Sequence, residues 1–180
     1  MFKLRATLSG FVMLFLGACV QGCKKPDDDI NRLISSCALP PAPVGLVLLS
    51  KQGTNLVTST TDEVIVSYSD KGQTQRLPCI IGALQDVAPR QPSTKYGGLA
   101  VFCELGSISN RKNNSPVKTF QLTINNQAAG TIFFDLRDDP NRTSTGLQNC
   151  YKVFAFQFNN APVQTDDTVM PGVGLLNCNL

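Results

Sequence analysis

The cysteines are the residues of this chain whose chemistry is easiest to place, because the chain contains no histidine. Without histidine, Ser-His-Asp and Cys-His catalysis are excluded. The cysteines are spread singly and form none of the paired motifs of a zinc site. In an exported protein, disulfide formation is their expected role. The seven cysteines are Cys19, Cys23, Cys37, Cys79, Cys103, Cys150 and Cys178.

The acidic stretch FDLRDDPN is the second place where side chains could do chemistry. Its oxygen ligands make it a weak calcium candidate formed by Asp135, Asp138, Asp139 and Asn141, with Asp166 and Asp167 as further ligands from another loop. The stretch lacks EF-hand spacing, and Asp and Asn are also the usual residues of a solvated turn, which is the favoured interpretation. A carboxylate-based hydrolase remains a remote alternative, although no two acids stand apart from the rest. The sequence therefore predicts no enzyme, no cofactor and no metal.

The N-terminus predicts export. A short cationic segment, MFKLR, precedes the apolar run ATLSGFVMLFLGA and then small residues, which is the order of a signal peptide. The apolar run is shorter than the 18 or more residues that a membrane-spanning helix needs. Residues 1–22 are therefore expected to be a cleaved leader.

Two tetrapeptides at the end of this leader resemble the lipobox of bacterial lipoproteins: LGAC, residues 16–19, and VQGC, residues 20–23. The resemblance implies cleavage before a cysteine that carries lipid. The residues before Cys19 fit the lipobox better than those before Cys23, and lipidation of Cys19 would leave an even number of other cysteines. Cys23 is followed by KKPDDD, which resembles the start of surface lipoproteins of the Bacteroidetes. We favour Cys23, with Cys19 as the alternative.

Behind the leader, residues 23–42 read as a tether and residues 43–180 as one domain. The tether is charged, has room for a short helix at INRLISSC, and ends in the stiff segment ALPPAP. From residue 43 onward, apolar residues recur with period two between turn residues, which indicates strands. We expect an all-β, antiparallel, Ig-like β-sandwich of seven or eight strands, with a small β-barrel as the alternative.

The alternation assigns side chains to faces of these strands. Val64, Val66 and Tyr68 are predicted to point inward, and Pro78 predicts an edge strand or a bulge. Leu105 is predicted to extend a strand from Leu99. In the last long strand, Phe154, Phe156 and Phe158 are predicted to share one face, opposite Val153 and Ala155.

Disulfide pairing follows from the same faces. Cys79 and Cys103 lie among inward apolar residues of successive strands, so we expect them to form a bridge. Cys150 with Cys178 would join the last strands. Cys37 is then the odd thiol if Cys23 is lipidated, and it pairs with Cys23 if it is not.

A further resemblance covers most of the domain. The segments LLSKQGTNLVTSTTDEVIVSYSDKGQ, QLTINNQAAGTIFFDL and CYKVFAFQFNN are similar to small uncharacterised Bacteroidetes lipoproteins, a resemblance that implies no activity. Together with the leader, it implies an outer-membrane lipoprotein that faces the periplasm or the cell surface.

Charge and composition narrow the partners. The formal net charge is +3 and falls to +1 without Lys3 and Arg5 of the leader, which argues against nucleic-acid binding. We therefore expect a non-enzymatic binding, adhesion or assembly module, held to the membrane by its N-terminal lipid, with an unknown protein or glycan partner. A small-ligand-binding barrel is the alternative.

Overall fold

Two β-sheets face each other and enclose the main core. The computed structural model of the chain describes residues 41–88, 90–110, 116–139, 151–170 and 172–180. In spatial order, sheet A consists of β10 (Gln164–Thr165), β11 (Gly174–Asn177), β1 (Val44–Leu49), β5 (Leu99–Cys103) and β4 (Cys79–Ala83). Sheet B consists of β3 (Gln73–Leu77), β2 (Val64–Asp70), β6 (Thr119–Ile124), β7 (Gln127–Asp138), β8 (Tyr151–Phe158) and β9 (Ala161–Pro162). The one α-helix in the described part of the chain is the short α1 (Leu105–Ser109).

The all-β sandwich prediction is confirmed, and the barrel alternative is wrong. The two sheets have separate hydrogen-bond ladders, so no closed ring of strands forms. All the strand pairings are antiparallel except that of β1 with β11, the first and last strands. The strands outnumber the seven or eight expected, because short strands flank two corners where the chain passes from one sheet to the other.

The two corners lie at the outer edges of the sheets. Pro78 alone separates β3, the edge of sheet B, from β4, the edge of sheet A. Val163 alone separates β9 from β10 at the other edges, and its N–H donates to the carbonyl of Phe156 at 3.0 Å. Pro78 has no N–H for a ladder, so its position at an edge costs no strand hydrogen bond. Both strands beside Pro78 are edge strands, as predicted, but the single strand expected to run through Pro78 is two strands in different sheets.

The inward faces follow the alternation of apolar residues. Val66 and Tyr68 of β2 are buried, as predicted, and Tyr68 meets the ring of Phe120 edge-on at 6.0 Å. Phe134 of β7 packs edge-on against Phe156 of β8 with ring centroids 5.3 Å apart. Sheet A contributes, among others, Leu46, Leu48, Val101 and Leu176 to the same core.

β1 and β5 are buried on both faces, because sheet A has a second apolar cluster on its outer side. This outer cluster consists of Val47, Leu49, Leu84, Ala100, Val169 and Val173. Leu84 comes from the loop between β4 and β5, and Val169 and Val173 come from the loop between β10 and β11. The continuous apolar run of β1 is thus explained by burial on both sides.

Two-residue turns close three hairpins of sheet B. Both residues of each turn have positive φ, as the tight hairpin turns that suit strand twist require. The pairs are Lys71–Gly72, Asn125–Asn126 and Asn159–Asn160. Gly and Asn adopt this left-handed conformation most easily, which accounts for five of the six residues.

Two predictions are wrong, one on the length of a strand and one on the face of a phenylalanine, although Leu105 is buried in the core as predicted. The strand through Leu99 ends at Cys103, and Leu105 begins α1, where its side chain is buried. α1 lies beside β7 beyond the start of β6. There the Ser109 hydroxyl donates to the carbonyl of Phe134 at 2.8 Å and accepts the N–H of Leu136 at 3.0 Å. The Ser109 side chain thus takes the place of the backbone hydrogen bonds that β6 makes to the rest of β7.

Phe154 does not share a face with Phe156 and Phe158. The register of β7 with β8 shifts between Asp135, which faces Ala155, and Leu136, which faces Val153. Phe154 is the extra residue of this β-bulge and is 48% exposed. A bulge reverses the alternation on one side of it. Val153 consequently lies on the side of Phe156, and both residues line the same cleft.

One of the two predicted disulfides is confirmed and the other is wrong. Cys79 and Cys103 are opposite each other in the register of β4 and β5 and form the predicted disulfide, with Cα atoms 4.3 Å apart. The predicted bridge of Cys150 with Cys178 is wrong, because Cys178 is a free thiol whose side chain is 1% exposed within the main core. Burial raises the pKa of this thiol to about 11. Cys19, Cys23, Cys37 and Cys150 lie outside the described residues.

Candidate functional site

The outer face of sheet B is the candidate functional site, and we call it the basic face. Residues opposite one another in the ladders place Arg76 beside Ser67, Ser67 beside Gln121, and Gln121 beside Thr131. A second row places Thr119 beside Phe133 and Phe133 beside Gln157. These side chains are exposed or half-buried, in contrast to the outer side of sheet A. The basic face therefore offers hydroxyl and amide groups in rows set by strand spacing.

One buried carboxylate organises the charge at the β7 end of the basic face. Asp135 is 4% exposed and accepts from Lys118 Nζ at 2.9 Å and from Arg137 Nη2 at 2.6 Å, with Arg137 Nε at 3.1 Å. The Arg137 guanidinium, with Lys118, holds the pKa of Asp135 below its usual range, and Asp135 in turn raises the pKa of Arg137. Two cationic groups are thus fixed next to each other by a single anion.

The bulge places an aromatic ring among these cations. Arg137 lies over the Phe154 ring, with Cζ 4.5 Å from its centroid, and Lys152 Nζ lies 5.9 Å from the same centroid. Lys152 faces Arg137 in the register of β8 with β7. Cation–π contacts of this kind keep a half-exposed ring on a polar surface and orient both cations.

An open groove runs along the basic face between β2, β3 and β6. Its volume is about 460 Å³, and its walls include Ser67, Ser69, Thr74, Thr119 and Gln121. Lys118 lines the same groove and thereby connects it to Asp135. Hydroxyl and amide groups therefore line this groove together with Tyr68, Pro116 and Val117.

The outer side of sheet A is closed by a polar clasp over the outer cluster. Asp166 accepts from Lys95 Nζ at 3.2 Å, from the hydroxyl of Tyr96 at 3.0 Å and from the N–H of Thr168 at 3.0 Å. The hydrogen bonds from Thr168, joined by those from Tyr96 and Lys95, lower the pKa of Asp166, while burial and Asp166 raise the pKa of Tyr96. The clasp joins the two loops that cover the sheet, so this side is occupied by the chain itself.

An apolar cleft of about 350 Å³ opens between the sheets beside β1. Phe134, Val153, Phe156 and Val163 contribute to its walls. Its rim includes Pro41 and Tyr151, whose preceding residues lie outside the described part of the chain. The cleft is an end of the core between the sheets, and the enclosed barrel interior of the small-ligand alternative is not present.

The predicted calcium group is not assembled in the described residues. Asp135 is occupied by Lys118 and Arg137, while Asp138 accepts from the amide of Asn110 at 2.9 Å. Asp166 is occupied by the clasp, and Asn141 lies outside the described residues. Over residues 41–88, 90–110, 116–139, 151–170 and 172–180, no three Asp, Glu or Cys side chains are grouped to hold a metal.

Two properties bear on the remaining sequence predictions. A lowered pKa keeps Asp135 and Asp166 ionised at neutral pH, so neither can supply a proton as a general acid.

No helix in the described part of the chain is both long and apolar enough to span a bilayer.

Sequence reasoning missed the basic residues of the site: Arg76, Lys118, Arg137 and Lys152. Each stands alone in the sequence, so no charge run indicated a patch. The only usable signal was outward parity on strands that pair, and it applies to Arg76 and Arg137. Lys118 lies just before β6, and for Lys152 and Phe154 the bulge removes the signal. Comparison with protein-family models, with curated proteins and with solved structures finds no match to this chain.

Proposed function

We propose that the protein is a lipid-anchored, non-enzymatic binding module of the bacterial cell envelope, attached through Cys23 and using the basic face of sheet B to bind its partner. The N-terminal sequence supports the anchor: a leader, two candidate lipobox cysteines and a charged tether precede β1, which begins at Val44. Two acyl chains on one cysteine give stable membrane attachment.

The contrast between the two outer faces is the observation that carries the binding role. The outer side of sheet A is covered over β1 and β5 by the outer cluster and the clasp, with Ile80 of β4 left 70% exposed at the edge. The basic face instead exposes polar rows, basic side chains and the half-exposed ring of Phe154. A sheet face with a groove and fixed cations suits binding. Asp135 and Asp166, whose pKa values are lowered, are held in ion pairs, which suits a structural role more than catalysis.

Acylation and membrane attachment test this proposal. We expect the wild-type protein, produced in a bacterium fed a clickable fatty acid, to carry the label and to sediment with membranes. Cys23→Ser should abolish both, and Cys19→Ser should retain both because it leaves the favoured cleavage site intact. Intact-mass measurement with and without reduction identifies the first residue, the acyl mass and the number of bridges.

Two results would contradict the proposed anchor. One is a wild-type chain that stays unlabelled and soluble. The other is a label that survives Cys23→Ser but disappears in Cys19→Ser, which would move the anchor to the alternative cysteine and leave the rest of the proposal in place.

A further inference from the structure

Charge is distributed unevenly between the basic face and the rest of the protein. Arg76, Lys118, Arg137 and Lys152 lie on the basic face, where Asp135 is bound to Lys118 and Arg137. The acidic side chains Asp62, Asp86, Glu104, Asp166 and Asp167 lie in loops outside the strands of sheet B. The basic face therefore carries a local excess of positive charge, and such a face attracts an anionic partner.

The basic groups are held in place by their neighbours. The Asp135 carboxylate fixes Lys118 and Arg137, and the Phe154 ring lies against Arg137 and Lys152. Because Asp135 neutralises only one of the two cations that it binds, the group retains positive charge. A preorganised cation loses less conformational freedom on binding an anion than a mobile one does.

Uncharged hydrogen-bonding groups extend from this charged end across the sheet. Gln121 and Thr131 are bonded side chain to side chain at 3.1 Å, and Ser67 and Arg76 continue the row. Five strands at about 4.8 Å spacing make this surface about 19 Å wide. Such a surface matches a ligand that combines many hydroxyl groups with repeated negative charges.

We propose that the basic face binds an acidic polysaccharide, whose carboxylates or sulfates contact the cations and whose hydroxyls bond to the Ser, Thr and Gln side chains. The Phe154 ring offers a stacking surface for a sugar ring next to the cations. An anionic membrane fits less well. Phe154 supplies little apolar area for insertion into a bilayer, and acyl chains cannot form hydrogen bonds with the polar rows. The inference deepens the proposed function, since it names the ligand of the same face.

The test uses the full chain with Cys19 and Cys23 both replaced by serine, so that binding is measured without acyl chains. Immobilised polygalacturonate is the acidic probe, dextran is the neutral probe, and phosphatidylglycerol vesicles are the membrane probe. We expect binding to polygalacturonate that weakens as salt rises, with much weaker binding to dextran and to vesicles. In this chain, Arg76→Glu with Lys152→Glu should weaken polygalacturonate binding about tenfold or more, since each reversal removes an attraction and adds a repulsion.

A matched double variant separates the effect of the basic face on binding from the effect of net charge. Lys51→Glu with Arg90→Glu changes the charge by the same amount at exposed loop positions outside sheet B, and it should leave binding nearly unchanged. Phe154→Ala should weaken binding severalfold, while Ile80→Ala, which removes a 70% exposed side chain from sheet A, should not. Circular dichroism and thermal melting establish that each variant is folded.

Several outcomes would overturn the inference. They are equal losses in the two double variants, equal binding to dextran, a preference for the vesicles, or no binding to polygalacturonate by a folded chain. None of these affects the acylation result, so failure of the inference is distinguishable from failure of the proposed anchor.

Discussion

A single carboxylate organises each outer surface of this protein, buried on sheet B and half-buried over sheet A. Asp135 is surrounded by Lys118 and Arg137 on sheet B, and Asp166 by Lys95, Tyr96 and Thr168 over sheet A. Each carboxylate has a lowered pKa because its charged form receives several hydrogen bonds. The sequence singled out both stretches for their acidity and assigned them tentative metal chemistry. It could not reveal the partners that are distant in the chain, Lys118 for Asp135 and Lys95 with Tyr96 for Asp166. Arg137 and Thr168, in contrast, are each two residues from the carboxylate that they bond.

Asp135→Asn tests the residue-scale account. At pH 7 we expect the free energy of unfolding to fall by about 1–2 kcal/mol, because Lys118 and Arg137 lose their shared anion and repel each other. The native pKa of Asp135 lies below its unfolded value, so its stabilisation is present above about pH 4 and disappears as the pH falls further. The difference between variant and wild type should therefore shrink between pH 5 and pH 2.

Urea unfolding at several pH values measures this difference. Glu104→Gln is the matched control, because Glu104 is exposed and makes no side-chain cap bond to α1. A constant gap between Asp135→Asn and wild type at every pH would show that the ion pairs are not its cause.

At the scale of elements, the strand pattern was predictable and its local interruptions were not. The inward residues of β2 and β6, and those of β7 from Ile132 to Leu136, follow strict alternation, and the Lys71–Gly72 turn follows from DKGQ. The bulge at Phe154 was not predictable, because it depends on one extra residue relative to β7 and leaves no mark in the sequence of β8. The end of β5 was missed for a similar reason, since Leu105 fits a strand face as well as a helix.

The disulfide joins two strands of sheet A that are 24 residues apart in sequence, at the edge that contains the Pro78 corner. Replacing Cys79 and Cys103 together by alanine should lower the free energy of unfolding by about 2–4 kcal/mol, since the unfolded chain regains the entropy of the open loop. Guanidinium unfolding of the wild type with reductant should approach the curve of the double variant. Coincident curves for oxidised wild type and double variant would contradict a stabilising role.

At the scale of the whole molecule, the outer surfaces of the two sheets differ in whether loops cover them. The apolar outward residues of β1 and β5 require a cover, which the loops at residues 84–98 and 166–173 provide. The outward residues of sheet B are mostly polar, with Ile65, Phe133 and Phe154 as exceptions, and have no such cover in the described residues. The sandwich could be predicted from the sequence because alternation defines inward faces. The cover over sheet A was harder to predict from the sequence, since it depends on which loops reach across the sheet.

Asp166→Asn tests whether the clasp holds this cover. We expect amide exchange to accelerate at residues 84–98 and 166–173, because the carboxylate that joins the two loops is lost, with sheet B unchanged. Asp86→Asn, in the same cover, serves as the control. Exchange followed by mass spectrometry would contradict the clasp if both variants matched the wild type, or if sheet B exchanged faster as well.

The pairing of β1 with β11 has a consequence for how the protein is made. The opening strand of the domain lies against Gly174–Asn177, and the N–H of Cys178 donates to the carbonyl of Leu49 at 2.7 Å. β1 gains its parallel neighbour only when residues 174–177 are present, and contacts so distant in sequence form slowly. Completion of sheet A is therefore a late event in the synthesis of this domain, because β1 is made early and β11 is made more than 120 residues after it.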